Sequence, residues 1–131
     1  MKLVDSSAWV EFLRRKGDPK VKDIVARLLQ MDQSAYTCPI RFELLSGVRP
    51  GEEGDLEQAF GLSHHYPFEQ DDWPEAARLE RQLRGSGLNM PRNDLFVATL
   101  AIRAGLVILC RDAHFSAAQK VVGSRLKVEQ V

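Results

Sequence analysis

Four carboxylates stand where a globular chain does not ordinarily spend charge. Asp5 closes a short apolar strand, Leu3-Val4, and Asp112 lies two residues beyond Leu106-Val107-Ile108-Leu109-Cys110, the longest strand-type run. Asp94 opens the most apolar helix, Leu95 to Ala104, and Glu43 sits in Pro39-Ile40-Arg41-Phe42-Glu43-Leu44-Leu45, just after another strand end. A charge held in such surroundings is costly unless it is paired or bound to a cation. Gathered carboxylate oxygens suit a hard divalent ion, Mg²⁺ or Mn²⁺. An ion so held lowers the pKa of a bound water and turns it into a nucleophile.

Each acid also has a simpler role open to it. Asp94 and Asp112 are acceptable helix N-caps, Asp5 a turn acid, and Glu43 part of a charged helix face. What sets them apart is joint placement at one end of the inferred sheet, where open parallel sheets collect their ligands. No Ser-His-Asp or Cys-His nucleophile pattern competes, so water is the expected attacking group. His64 and His65 are adjacent and lack partners at zinc-ligand spacing, which makes them structural or surface histidines. Trp9 and Trp73 are expected in the core or at an interface.

The elements that must position these acids alternate between strand and helix. Ser6 and Ser7 are candidate N-caps for a helix reaching Leu13, and Pro19 opens a second helix to about Met31 whose Val21, Ile24, Val25 and Leu28 share one face. Ala35 to Cys38 is a strand, a helix then runs from Pro39 to Gly47, and a weaker one spans Asp55 to Leu62. His64 to Phe68 forms a third short strand, Asp72 to Arg84 a helix, and Gly85 to Arg92 a loop. Gly105 ends the apolar helix, and Leu126 to Val131 alternates as an edge strand should. The pattern defines an α/β fold around a mostly parallel sheet.

Bulk properties bound the function without choosing it. A chain of 131 residues that is 44% hydrophobic and 27% charged is expected to form a single domain spanning 1–131. No apolar run approaches the roughly 18 residues needed to cross a bilayer, and Cys38 and Cys110 lie in apolar segments as buried, reduced thiols. A cytoplasmic location is therefore expected. The charges balance at 18 basic and 18 acidic residues, so no global basic footprint marks a nucleic-acid partner. Setting four acids aside as metal ligands leaves 18 basic against 14 acidic. Arg14, Arg15 and Lys16 form a cluster, and Arg41, Arg92 and Arg111 lie within two residues of the singled-out acids.

Four stretches carry a resemblance. Val4-Asp5-Ser6-Ser7-Ala8, Cys38 to Gly47, Asn93 to Ala101 and Val107 to Phe115 resemble, in order and spacing, the PIN-domain family, in particular the VapC-type toxins of bacterial toxin–antitoxin pairs. The resemblance covers essentially the whole chain. It implies a three-layer α/β/α sandwich and a Mg²⁺- or Mn²⁺-dependent endoribonuclease, usually a homodimer with an antitoxin partner. Asp5, Glu43, Asp94 and Asp112 fall on the family's acidic positions, and Ser6 or Ser7 where a hydroxyl supports the first acid. Cys110 and His114 depart from it, standing where Thr and a further Asp are common. Arg92 and Arg111 are the expected contacts to RNA phosphates. The alternative is a non-catalytic PIN-like module that binds RNA or protein. A receiver-type signalling domain needs an acidic pair just after its first strand and a lysine ending its last. It is disfavoured, because Asp5 is followed by serines and Asp71-Asp72 precedes a helix late in the chain.

Overall fold

A computed structural model describes residues 1–131. Five parallel strands, β1 (Lys2–Val4), β2 (Ser34–Tyr36), β3 (His64–His65), β4 (Val107–Cys110) and β5 (Lys127–Gln130), form one sheet in the order β3-β2-β1-β4-β5. The chain thus builds outward from β1 to β3, then returns to place β4 on the other side of β1. That reversal makes the gap beyond β1 and β4 the sheet's topological switch point. Register is fixed by Leu3 opposite Ala35 on one side and Ile108 on the other. Leu3, Val4, Ile108, Leu109 and Cys110 are fully buried, as strands covered on both faces must be.

Seven helices cover the sheet: α1 (Ser6–Leu13), α2 (Pro19–Gln30), α3 (Cys38–Gly47), α4 (Glu53–Gly61), α5 (Asp72–Gly85), α6 (Arg92–Ala104) and α7 (His114–Val122). Right-handed crossovers put α1 to α4 on one face and α5 to α7 on the other. Accordingly α1 packs on α2 and α3, α5 packs on α6 and α7, and α3 meets α6 at the sheet's end. Both layers share one apolar cluster that includes Trp9, Ile40, Leu83, Leu95 and Phe115. No helix is long and apolar enough to cross a membrane.

Several local expectations shift. Asp5 itself caps α1, accepting from the Ser7 amide, so neither Ser6 nor Ser7 is the cap. Strand β2 ends at Tyr36, and Cys38 starts α3 instead of closing a strand; its thiol is therefore exposed, whereas Cys110 is buried. Only His64 and His65 pair as β3, and both are exposed. Trp9 lies in the core, whereas Trp73 is exposed, edge-on to Phe68 and Phe96. Helix α6 begins at Arg92, three residues before the expected Leu95, which sets Asp94 inside its first turn. Gly105 closes α6 at φ +67°, the left-handed cap expected of it. Helix α7 has no range among the elements read from sequence, where Asp112 stands only as a candidate cap before it. Its signal is Phe115 and Ala118, buried at i and i+3.

Candidate metal centre

Asp5 is delivered by the end of β1, and two hydrogen bonds fix its carboxylate. The Ser7 amide donates to Asp5 Oδ2 at 3.1 Å and the Ser7 hydroxyl donates to the same oxygen at 2.6 Å. Ser7 Oγ in turn accepts the Arg111 amide at 2.9 Å, stitching the loop after β4 to the start of α1. The neighbouring serine serves a different acid: Ser6 donates to Glu43 Oε1 at 2.7 Å, and Asn93 Nδ2 donates to Glu43 Oε2 at 3.1 Å. Glu43 on α3 is thereby tied both to α1 and to the first turn of α6.

Asp94 enters from α6, where a carboxylate in the first turn is favoured by the helix dipole. Asp112 accepts the His114 amide at 2.9 Å and so turns the chain into α7. His114 Nδ1 lies 2.7 Å from Asp94 Oδ2 and 3.7 Å from Asp112 Oδ1.

Asp5 and Asp94 feel the neighbouring carboxylates. Burial pushes Asp5 from its ordinary 3.8 up to about 7, against the pull of the Ser7 hydrogen bonds and with help from the charges of Asp112 and Asp94. Asp94 is also raised, first by burial and then by Asp112, with His114 opposing and Glu43 adding. The Cys110 thiol beneath them is driven to about 12 by burial and by Asp112, Asp5 and Asp94. It is a packing group facing acids, not a nucleophile.

The donors fit a cation. One ligand atom each from Asp94, Asp112 and His114 can be chosen so that all lie within 4.8 Å of one another. Opposite ligands around Mg²⁺, with bonds of about 2.1 Å, stand roughly 4.2 Å apart. Sequence reasoning set His114 aside as a departure from an acid; the structure places it among the donors. Its position two residues after Asp112, at the head of α7, is the available signal.

The basic residues nearby are mostly engaged. Arg111 Nη1 pairs with Asp18 Oδ2 at 2.7 Å, and Arg41 with Glu57 at 2.9 Å. Arg92 is 77% exposed and reaches only Glu80, at 3.4 Å. The cluster after α1 is partly committed too, since Arg14 pairs with Glu11 at 2.8 Å.

Comparison with known proteins identifies the family. The PIN domain family profile matches residues 2–121, and the chain belongs to that family. Within the family it is similar to VapC ribonucleases. It is 35% identical to VapC ribonuclease Mb1587 of Mycobacterium bovis, over 92% of this chain and 93% of that protein. It is 33% identical to ribonuclease VapC19 of Mycobacterium tuberculosis, over 88% of this chain and 92% of that one. Among solved structures, VapBC2 from Rickettsia felis, bound to a DNA fragment from its promoter, aligns at a TM-score of 0.80 and 16% identity. That match covers 99% of this chain and 98% of the other, and establishes a shared fold.

Proposed function

We propose that this chain is a metal-dependent endoribonuclease, the toxin of a toxin–antitoxin pair, that hydrolyses RNA phosphodiester bonds with water. One observation carries the reading. Asp5, Glu43, Asp94 and Asp112 converge at the switch point with Asp5 and Asp94 both raised, an arrangement that a bound cation relieves. The names of the similar proteins supply the substrate class. Mg²⁺ or Mn²⁺ held there would activate the attacking water and screen the phosphate.

The protein's own groups do the positioning. Ser7 holds Asp5, while Ser6 and Asn93 hold Glu43, so that carboxylates are aimed before an ion or RNA arrives. Arg92 is the freer phosphate contact. Arg111 must exchange Asp18 for a phosphate, which makes it a contact formed only on binding. The protein partner is the cognate antitoxin, consistent with the toxin–antitoxin complexes of similar fold, and the active form is a cytoplasmic homodimer.

The test is cleavage of total RNA by purified protein with Mg²⁺, with Mn²⁺ and with EDTA, beside Asp94→Asn. Discrete, metal-dependent products that fall at least about 100-fold in the variant are expected, since even groups behind metal ligands cost 10–100-fold when lost. Undiminished cleavage by the variant overturns the site. No cleavage by the folded, antitoxin-free protein returns the chain to the binding-module alternative.

A further inference from the structure

We propose that His114 is itself a ligand of the metal ion, and that its nitrogen biases the site from Mg²⁺ towards Mn²⁺ and the later first-row divalent ions. The inference rests on the metal-centre reading and adds to it a donor and a selectivity. His114 Nδ1 stands between two acids, 2.7 Å from Asp94 Oδ2 and 3.7 Å from Asp112 Oδ1. In an octahedral shell with bonds of about 2.1 Å, neighbouring ligands lie roughly 3.0 Å apart and opposite ones roughly 4.2 Å. The longer separation falls within that span, and the shorter is a hydrogen bond that an ion would replace. The imidazole nitrogen is therefore within reach of an ion held by these two acids.

The polar contacts of the residue lie within the site. Its backbone amide donates to Asp112 Oδ1 at 2.9 Å, which locks residue 114 to the acid two positions before it. Asp94 is the ring's one hydrogen-bonding partner, and the side chain is otherwise half-exposed. The polar groups that face the ring nitrogen are the carboxylates of Asp94 and Asp112.

Ion choice follows from the donor set. Mg²⁺ takes oxygen ligands and gives up water reluctantly, whereas imidazole is a ligand for transition ions. Four carboxylates alone would make a site with no reason to prefer Mn²⁺. One nitrogen ligand supplies that reason, and supplies it through a single residue.

The experiment uses the full chain without RNA. Mn²⁺ is added to wild type, His114→Asp, His114→Asn and Asp94→Asn, and pulsed electron paramagnetic resonance reads nitrogen coupling to the ion. Calorimetric titrations give the Mn²⁺ and Mg²⁺ affinities, and melting curves confirm that each variant is folded. Expected are a directly bound nitrogen in wild type, its loss in both His114 variants, and a fall of about tenfold or more in the Mn²⁺/Mg²⁺ affinity ratio. Mn²⁺ binding that Asp94→Asn abolishes, but with no nitrogen coupling or an unchanged ratio in the His114 variants, overturns this inference and leaves the acidic site standing. Wild type that binds neither ion, or Asp94→Asn that binds as well as wild type, overturns the site reading and the inference together.

Discussion

Two acids in this molecule are equally buried and have opposite surroundings. Asp5 and Asp72 are each 1% exposed. Asp72, at the first turn of α5, receives Arg103 from α6 through Nε at 2.6 Å and Nη2 at 3.0 Å, and accepts the Glu69 amide at 2.7 Å. Its charge is answered within the fold by a two-pronged guanidinium. Asp5 has two donors from Ser7 and faces Asp94 and Asp112. Burial of an acid is therefore no sign of function by itself. What distinguishes the candidate metal centre is a buried acid with other carboxylates as charged neighbours.

The comparison breaks if the two sites respond alike to loss of a partner. The largest stability effect is expected at the ion pair. Arg103→Met leaves Asp72 buried and uncompensated, and should cost about 3 kcal/mol in urea unfolding, the low end for such pairs because Arg103 is partly solvated. Adding Asp72→Asn to Arg103→Met should recover most of that loss. A single variant as stable as wild type would show that the pair does no more than a surface contact.

At the metal centre the sign reverses. Asp5 has a folded pKa of about 7 against an ordinary 3.8, so between those values the native state holds a proton that the unfolded chain has released. Stability from this group is present at low pH, falls as pH rises through that window, and is gone above about 7. In EDTA, wild type should therefore lose melting temperature between pH 4.5 and 7.5 more steeply than Asp5→Asn. At pH 7.5 the variant should melt several degrees higher, the shift that a gain of about 1 kcal/mol brings in a chain of this size. Asparagine keeps an oxygen to cap α1, so the cap is not what changes. Equal pH slopes would mean that Asp5 is solvated or already compensated.

The smallest effect sharpens the contrast. Ser7→Ala removes a donor to Asp5 and an acceptor for the Arg111 amide. A stability loss of about 1 kcal/mol is expected by urea unfolding. The accompanying loss of metal affinity, about tenfold by calorimetry, is what a merely structural serine would not produce. Ser6→Ala, one residue away, should act through Glu43 instead.

These contrasts were unevenly legible in the sequence. Asp5 and Asp112 stood out because each follows a run apolar enough to be a buried strand, and a polar residue at such an end is conspicuous. Asp94 could be singled out from the apolarity of its helix even with the helix start misplaced by three residues. Asp72 gave no such signal. It begins a helix with an exposed face, and its burial comes from Arg103, 31 positions away, through a tertiary contact without local periodicity. The family resemblance places a supporting hydroxyl at Ser6 or Ser7 without choosing between them. The division of Ser7 to Asp5 and Ser6 to Glu43 depends on how α1 leaves the sheet. Cys38 was misassigned because its apolar neighbours suggested a strand, whereas Pro39 in the first turn starts a helix and leaves the thiol in solvent.

Strand β1 lies between β2 and β4, and its pairing with β4 joins Leu3 to Ile108. During synthesis, at roughly 5–20 residues per second, the first acid therefore leaves the ribosome several seconds before the acids it must meet. A nascent chain halted short of Asp112 carries Asp5 with half its neighbours absent and no closed centre. The acidic cluster is thus assembled only once nearly all of these residues have been made, because its members come from both ends of the chain.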